Sequence, residues 1–187
     1  MENEYIREIL NGDPSRFSYF VAEYKDMAYS LAYRIVNNNE DAEEVVQDSF
    51  VRAFKSLHKF RQSSKFSTWF YRIVVNRALS IKSQAKKTIT EIDINTIPEI
   101  QLEEIDNTYR NLIQTEREKF INSALNELKE EDSLLLTLYY LNENSVEEIT
   151  EITGISADNV KMKLLRARKK LYVILENNLK MELKSIL

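Results

Sequence analysis

The sequence predicts an all-α protein of two small helical domains joined by an acidic linker, the C-terminal one containing a helix-turn-helix. Three observations lead there. Glycine and proline number only two each in 187 residues; sheet folds need many turns built from those residues, and long helices need few. Apolar residues recur at helical spacing, most regularly from Ala42 to Phe60. From Thr88 to about Thr108 that period disappears: isoleucines and acids alternate and Pro98 interrupts, the signature of a connector. The expected division is therefore 1–87, a linker at 88–114, and 115–187. With 43% hydrophobic and 30% charged residues, the chain has enough apolar material for packed cores.

Taken in order, Asp13-Pro14 has the chemistry of a helix start: an acceptor side chain, then a residue with no NH to offer. Phe17, Phe20, Val21 and Tyr24 follow at helical spacing, then Ala28, Leu31, Ala32 and Ile35. Asn38 or Asn39 can cap the next helix, whose first turn is acidic. Its apolar stripe runs through Ala42, Val45, Val46, Ser49, Phe50, Ala53, Phe54, Leu57 and Phe60, with Asp41, Glu44, Gln47 and Asp48 opposite. A further helix begins near Ser67 and turns Phe66, Trp69, Phe70, Ile73, Val74, Ala78 and Ile81 inward. Residues 61–65 remain as a polar, cationic loop between the two.

The net charge of −4 conceals segregation. Residues 61–88 carry seven Lys/Arg and no acid, and residues 157–172 carry six Lys/Arg against Asp158. Residues 89–131 between them carry eleven acids and four bases. Local field, rather than net charge, governs attraction to phosphate.

Enzyme chemistry finds little support. With no cysteine there are no thiolate metal sites and no cysteine nucleophile. The single histidine, His58, follows Leu57 without a second ligand and is expected at the surface or its boundary. No glycine-rich phosphate loop is present. No catalytic residue, metal or cofactor is expected. The acidic start and the lack of a long apolar run predict neither signal peptide nor membrane insertion, so the expected location is cytoplasmic.

The strongest local pattern lies at 145–175. Ser145 and Glu148 are spaced as a capping box, and Val146, Ile149 and Ile152 form a short apolar face. Gly154-Ile155-Ser156 supplies a turn, an anchor and a fresh cap. The following helix buries Val160, Leu164, Ala167 and Leu171. Short helix, glycine turn and longer basic helix make the pattern of a DNA-binding helix-turn-helix. The outward face of the second helix carries Asn159, Met162, Arg166 and Lys169, with Lys163 and Lys170 on one flank and Lys161 on the other. Asn and Arg read base edges in a major groove, and lysines hold phosphates. A plain helical hairpin with a solvated face fits the same residues.

A second pattern is Phe66 to Arg77 with its preceding loop. Aromatic rings beside bases suit unpaired nucleic acid, with Arg61, Lys65, Arg72 and Arg77 tracking the backbone. Aromatics at the helical spacing of Trp69 and Phe70 more often belong to a core than to a stacking platform. Read by itself, the acidic face at 41–48 is dipole compensation plus solvation.

In this order, the three segments resemble the extracytoplasmic-function (ECF) branch of the sigma factors over nearly the whole chain. The run from Glu40 to Phe50 resembles the family helix that docks on the polymerase β′ coiled coil, which implies Asp41, Glu44, Gln47 and Asp48 as contacts. Phe66 to Arg77 is similar to the segment that engages the minus-ten element. That likeness implies roles there for Arg61, Lys65, Trp69, Tyr71, Arg72, Asn76 and Arg77, the loop holding a flipped base and Asn76 facing the element's upstream end. Asn159 to Leu171 resembles the reader of the minus-thirty-five element and implies Asn159, Lys161, Met162, Lys163, Arg166, Lys169 and Lys170. The chain departs from the family's common residues at Asp158, Asn159 and Met162, so a target sequence does not carry over; Ser80 departs likewise near the minus-ten segment.

The resemblance implies bacterial RNA polymerase core (β′ coiled coil and β flap) and promoter DNA as partners, and an anti-sigma factor is common in the family. It also implies weak promoter binding by the free factor, because two modest basic surfaces on a linker gain avidity once polymerase spaces them. Two other classes fit the residues alone. A conventional helix-turn-helix regulator would bind its operator without polymerase, and a helical adaptor would ignore nucleic acid even at low salt.

Overall fold

The computed structural model describes the backbone of residues 1–85 and 114–186 and the side chains of residues 1–84 and 119–181. These segments are helical, with no strand among the described residues. The expected linker at 88–114 lies outside the described residues except for its last position.

Helix α1 (Glu2–Leu10) buries Ile6 and Ile9. The Asp13 side chain then accepts from the Ser15 NH at 3.1 Å. That cap opens a short 3-10 turn, Pro14–Arg16, which leads into α2 (Phe17–Val36). Two neighbouring asparagines divide α2 from α3 (Asn39–Ser56). Asn37 takes the left-handed conformation at φ 52° and ends one helix. Asn38 is extended and caps the other, accepting from the Asp41 NH at 3.0 Å. Asparagine tolerates the first role and excels at the second, because its short amide bonds to nearby backbone.

A 3-10 turn at Leu57–Lys59 and the polar loop bring the chain to α4 (Phe66–Ala85). Aromatic rings fill the space between α2, α3 and α4. Phe20 and Phe66 lie 4.3 Å apart between centroids, and Phe50 stacks on Phe70 at 4.6 Å. Most of the expected α3 stripe is buried. Phe54 is the exception: it is 42% exposed, with its ring edge against Phe17 at 5.1 Å. It stands at the rim, where the opposing helix covers only one edge of the ring. His58 is exposed, as expected.

In the C-terminal half, α5 (Gln114–Glu127) precedes α6 (Glu130–Leu136), which runs into a π turn at Thr137–Leu141. Helix α7 (Val146–Thr153) starts with the complete capping box: Ser145 Oγ accepts from the Glu148 NH at 3.2 Å, and Glu148 accepts from the Ser145 NH at 2.9 Å. Gly154 at φ 75° closes it in the left-handed region that glycine enters freely. Helix α8 (Ala157–Ile186) buries Val160, Leu164, Ala167 and Leu171, the stripe expected, and adds Leu175.

The halves are packed together. Helix α4 lies against α7, α2 lies against α6, and buried residues from both halves belong to one continuous core. Arg34 on α2, itself buried, donates to Asn122 at 2.5 Å and to Asn126, both on α5. Lys82 on α4 donates to the Ile35 carbonyl at 2.9 Å and pairs with Glu130 on α6. This packing buries more of α4 than one amphipathic face: Tyr71, Val75 and Thr68 are covered along with Phe66, Phe70, Val74 and Ala78.

Candidate nucleic-acid interface

The turn at Gly154 presents α8 as the longer arm of a helix-turn-helix. Asn159, Lys161, Met162 and Arg166 are exposed on it, while Lys163, Lys169 and Lys170 are half-buried. Two of these lysines are already engaged. Lys163 pairs with Glu131 at 2.7 Å, and Lys170 pairs with Asp132 at 2.6 Å. Both acids sit in the first turn of α6, where the helix dipole favours negative charge. Met162 is 49% exposed, so an apolar surface lies among the polar side chains of this face. Arg168, absent from the expected set, lies over the rings of Tyr139 and Tyr140 at 5.2 and 5.5 Å. Its charge is thereby tied to the π turn.

In the N-terminal half, Arg61 and Lys65 in the loop and Arg72 and Asn76 on α4 are exposed. Gln62 stands at φ 56°, which bends the loop sharply. Trp69 is half-buried between Phe60 and Phe66, at 5.2 and 5.6 Å. Tyr71 is buried and 6.0 Å from the ring of Tyr24. Burial, reinforced by Glu23 and Glu2, pushes its hydroxyl up to about 12. In this arrangement its ring offers no open face to a base.

The loop meets the other half of the chain. Lys65 pairs with Glu148 at 2.9 Å, and the Ser64 hydroxyl donates to Glu151 at 2.9 Å. Burial raises the Glu148 carboxyl, but hydrogen bonds from the Ser145 backbone and Lys65 outweigh it and hold the group below its ordinary value. Neither glutamate was expected at a site. The sequence marks Glu148 only as half of a capping box, and the packing places both acids on the loop.

On α3, Glu44 and Gln47 are exposed and Asp41 and Asp48 are half-buried. A terminal nitrogen of Arg77 reaches both Glu44, at 3.0 Å, and Asp48, at 2.6 Å. The structure thus joins Arg77, grouped by sequence with the minus-ten set, to the acidic face of α3. Among the described residues, no His, Cys, Asp or Glu cluster could hold a metal ion, and no helix is long and apolar enough to cross a membrane.

Residues 20–88 match the family model for Sigma-70 region 2, and residues 121–171 match that for Sigma-70, region 4. The chain belongs to the sigma-70 family. Among its relatives is the ECF RNA polymerase sigma-E factor of Haemophilus influenzae, 29% identical over 174 residues that cover 88% of this chain and 89% of that protein. The ECF RNA polymerase sigma factor SigW of Bacillus subtilis is 29% identical over 178 residues, covering 91% and 95%. Both are sigma factors by name rather than enzymes. The fold is shared with solved structures: CnrH in complex with the cytosolic domain of CnrY has a TM-score of 0.63, at 21% identity over 92% of this chain and 96% of that one. The sigma factor RpoE of Bartonella quintana, in complex with the anti-sigma factor NepR, has a TM-score of 0.62, at 20% identity over 86% and 96%. In this sigma-70 family chain, region 2 includes the acidic face of α3, the cationic loop and α4, while region 4 includes the helix-turn-helix.

Proposed function

We propose that this chain is an RNA polymerase sigma factor of the ECF type, which directs core polymerase to particular promoters and assists their opening. The observation that carries it is the succession, on one short chain, of a region 2 match and a region 4 match. The exposed basic readers on α8 support it. In this reading, residues 1–87 dock on polymerase and hold the minus-ten element, 88–114 link, and 115–187 read the minus-thirty-five element.

Docking uses Asp41, Glu44, Gln47 and Asp48 on the β′ coiled coil, and the second domain rests on the β flap. Arg61, Lys65, Trp69, Arg72 and Asn76 take the opened strand. Capturing an extruded base costs a few kcal/mol of unstacking, which the loop's contacts offset. Asn159, Lys161, Met162, Lys163, Arg166, Lys169 and Lys170 face the upstream duplex. The factor catalyses nothing itself and works in the cytoplasm with the polymerase. An anti-sigma factor is a further partner in this reading, in keeping with the complex in which the Bartonella quintana RpoE was solved.

The test is promoter-dependent transcription with purified core polymerase on genomic fragments. Specific start sites that require the factor support the proposal. Tight operator binding by the factor alone, with no transcription at any promoter, would instead identify a conventional regulator.

A further inference from the structure

The geometry points to Arg77 as a positioning residue for polymerase docking rather than a DNA contact; this rests on the reading of α3 as the docking helix. Glu44 and Asp48 are one helical turn apart, a spacing at which like charges repel and turn away from each other. A single terminal nitrogen of Arg77 lies between them, 3.0 Å from Glu44 Oε1 and 2.6 Å from Asp48 Oδ2. It donates a hydrogen bond to Glu44 and forms an ion pair with Asp48.

The arginine is held in place while the carboxylates stay accessible. Its side chain is 16% exposed, against 60% for Glu44 and 43% for Asp48. The ion pairs occupy one oxygen of each carboxylate, so the pair faces outward together as a fixed acceptor for a cationic partner. Arg77 comes from α4, so the docking face is braced by the helix that carries the minus-ten residues. To contact a phosphate through that terminal nitrogen, the guanidinium would have to leave both carboxylates, and its side chain is largely packed. Arg72 and Asn76, exposed on the same helix, need no such release.

The test measures binding of the full-length factor to purified core polymerase without DNA, for Arg77→Met, Arg77→Lys, Glu44→Gln/Asp48→Asn and the triple variant. Thermal midpoints identify any variant that fails to fold. Arg77→Met is expected to weaken core binding about fivefold, the scale of a partly exposed ion pair. Arg77→Lys, which keeps the charge, is expected to recover most of that loss. In the Glu44→Gln/Asp48→Asn background Arg77→Met should add nothing, whereas a purely structural role would add its full effect.

Two results overturn the inference alone. One is an additive effect of Arg77→Met in a background that itself binds core weakly. The other is unchanged core affinity with a loss of about one unit of salt slope in promoter binding by holoenzyme, the mark of a phosphate contact. If Glu44→Gln/Asp48→Asn binds core like the parent, the docking reading of α3 fails and takes the Arg77 role with it.

Discussion

Lys65 Nζ lies 2.9 Å from a carboxylate oxygen of Glu148, linking the loop before α4 to the first turn of α7 across 83 positions of sequence. Glu148 also completes the capping box that starts α7. One carboxylate therefore stabilises the helix-turn-helix and occupies the lysine proposed to hold the opened strand.

Replacing Glu148 with Gln keeps an oxygen for the Ser145 NH and removes the charge facing Lys65. Because Lys65 is 69% exposed, the stability change is expected to stay below about 1 kcal/mol. The free factor should bind a single-stranded minus-ten oligonucleotide more tightly at low salt, measured by fluorescence anisotropy. Unchanged affinity would show that the ion pair does not restrain the loop.

The same carboxyl makes this contact pH-dependent. Its folded value lies below the ordinary 4.5, so its contribution is present above that pH and is lost as pH falls through the lowered value. Acid should loosen α7 and the loop contact together. Acid unfolding followed by circular dichroism should show less loss for Glu148→Gln than for the parent over that window. Parallel curves would count against a stabilising carboxylate here.

Lys163 and Arg166 on α8 should behave differently. Arg166 is exposed and, in the proposed reading, meets a base edge; Arg166→Ala should then cost about 1–3 kcal/mol at a preferred promoter and relax sequence choice. Lys163 shares its charge with Glu131 at 2.7 Å, so Lys163→Ala should weaken binding broadly and flatten the salt slope. Glu131→Gln, which frees that lysine, should steepen the slope. Salt titrations of holoenzyme on matched and mismatched promoters separate these effects.

Gly154 offers a clean measure of backbone strain in the turn. A Cβ there would meet nothing within 4 Å, but φ is +75°. Gly154→Ala should therefore cost about 1–2 kcal/mol from conformation alone, and Gly154→Asn less. Denaturant unfolding checks the order. A loss well above that range for Ala would mean that the turn itself had moved.

The helix starts and the recognition stripe were legible because their causes are local. Asn38, Ser145 and Gly154 act on backbone within a few residues, and Val160, Leu164, Ala167 and Leu171 repeat at the helical period. Phe54 was expected in the core and stands at its rim, since periodicity gives a direction but not how far a neighbouring helix reaches. Tyr71 was placed with the DNA readers and is buried, because α4 is covered on more than the single face its pattern marks.

The linear chain determined the all-helical class, the places where the best-capped helices begin and stop, and the separation of cationic from acidic segments. These follow from rotamer, capping and burial preferences acting over a few residues. Only the tertiary structure decided the partners of the charged groups: Arg77 with Glu44 and Asp48, Lys65 with Glu148, Lys163 with Glu131. A long charged side chain reaches several ångströms in many directions, and its neighbour is whichever carboxylate the packing of helices brings within that reach.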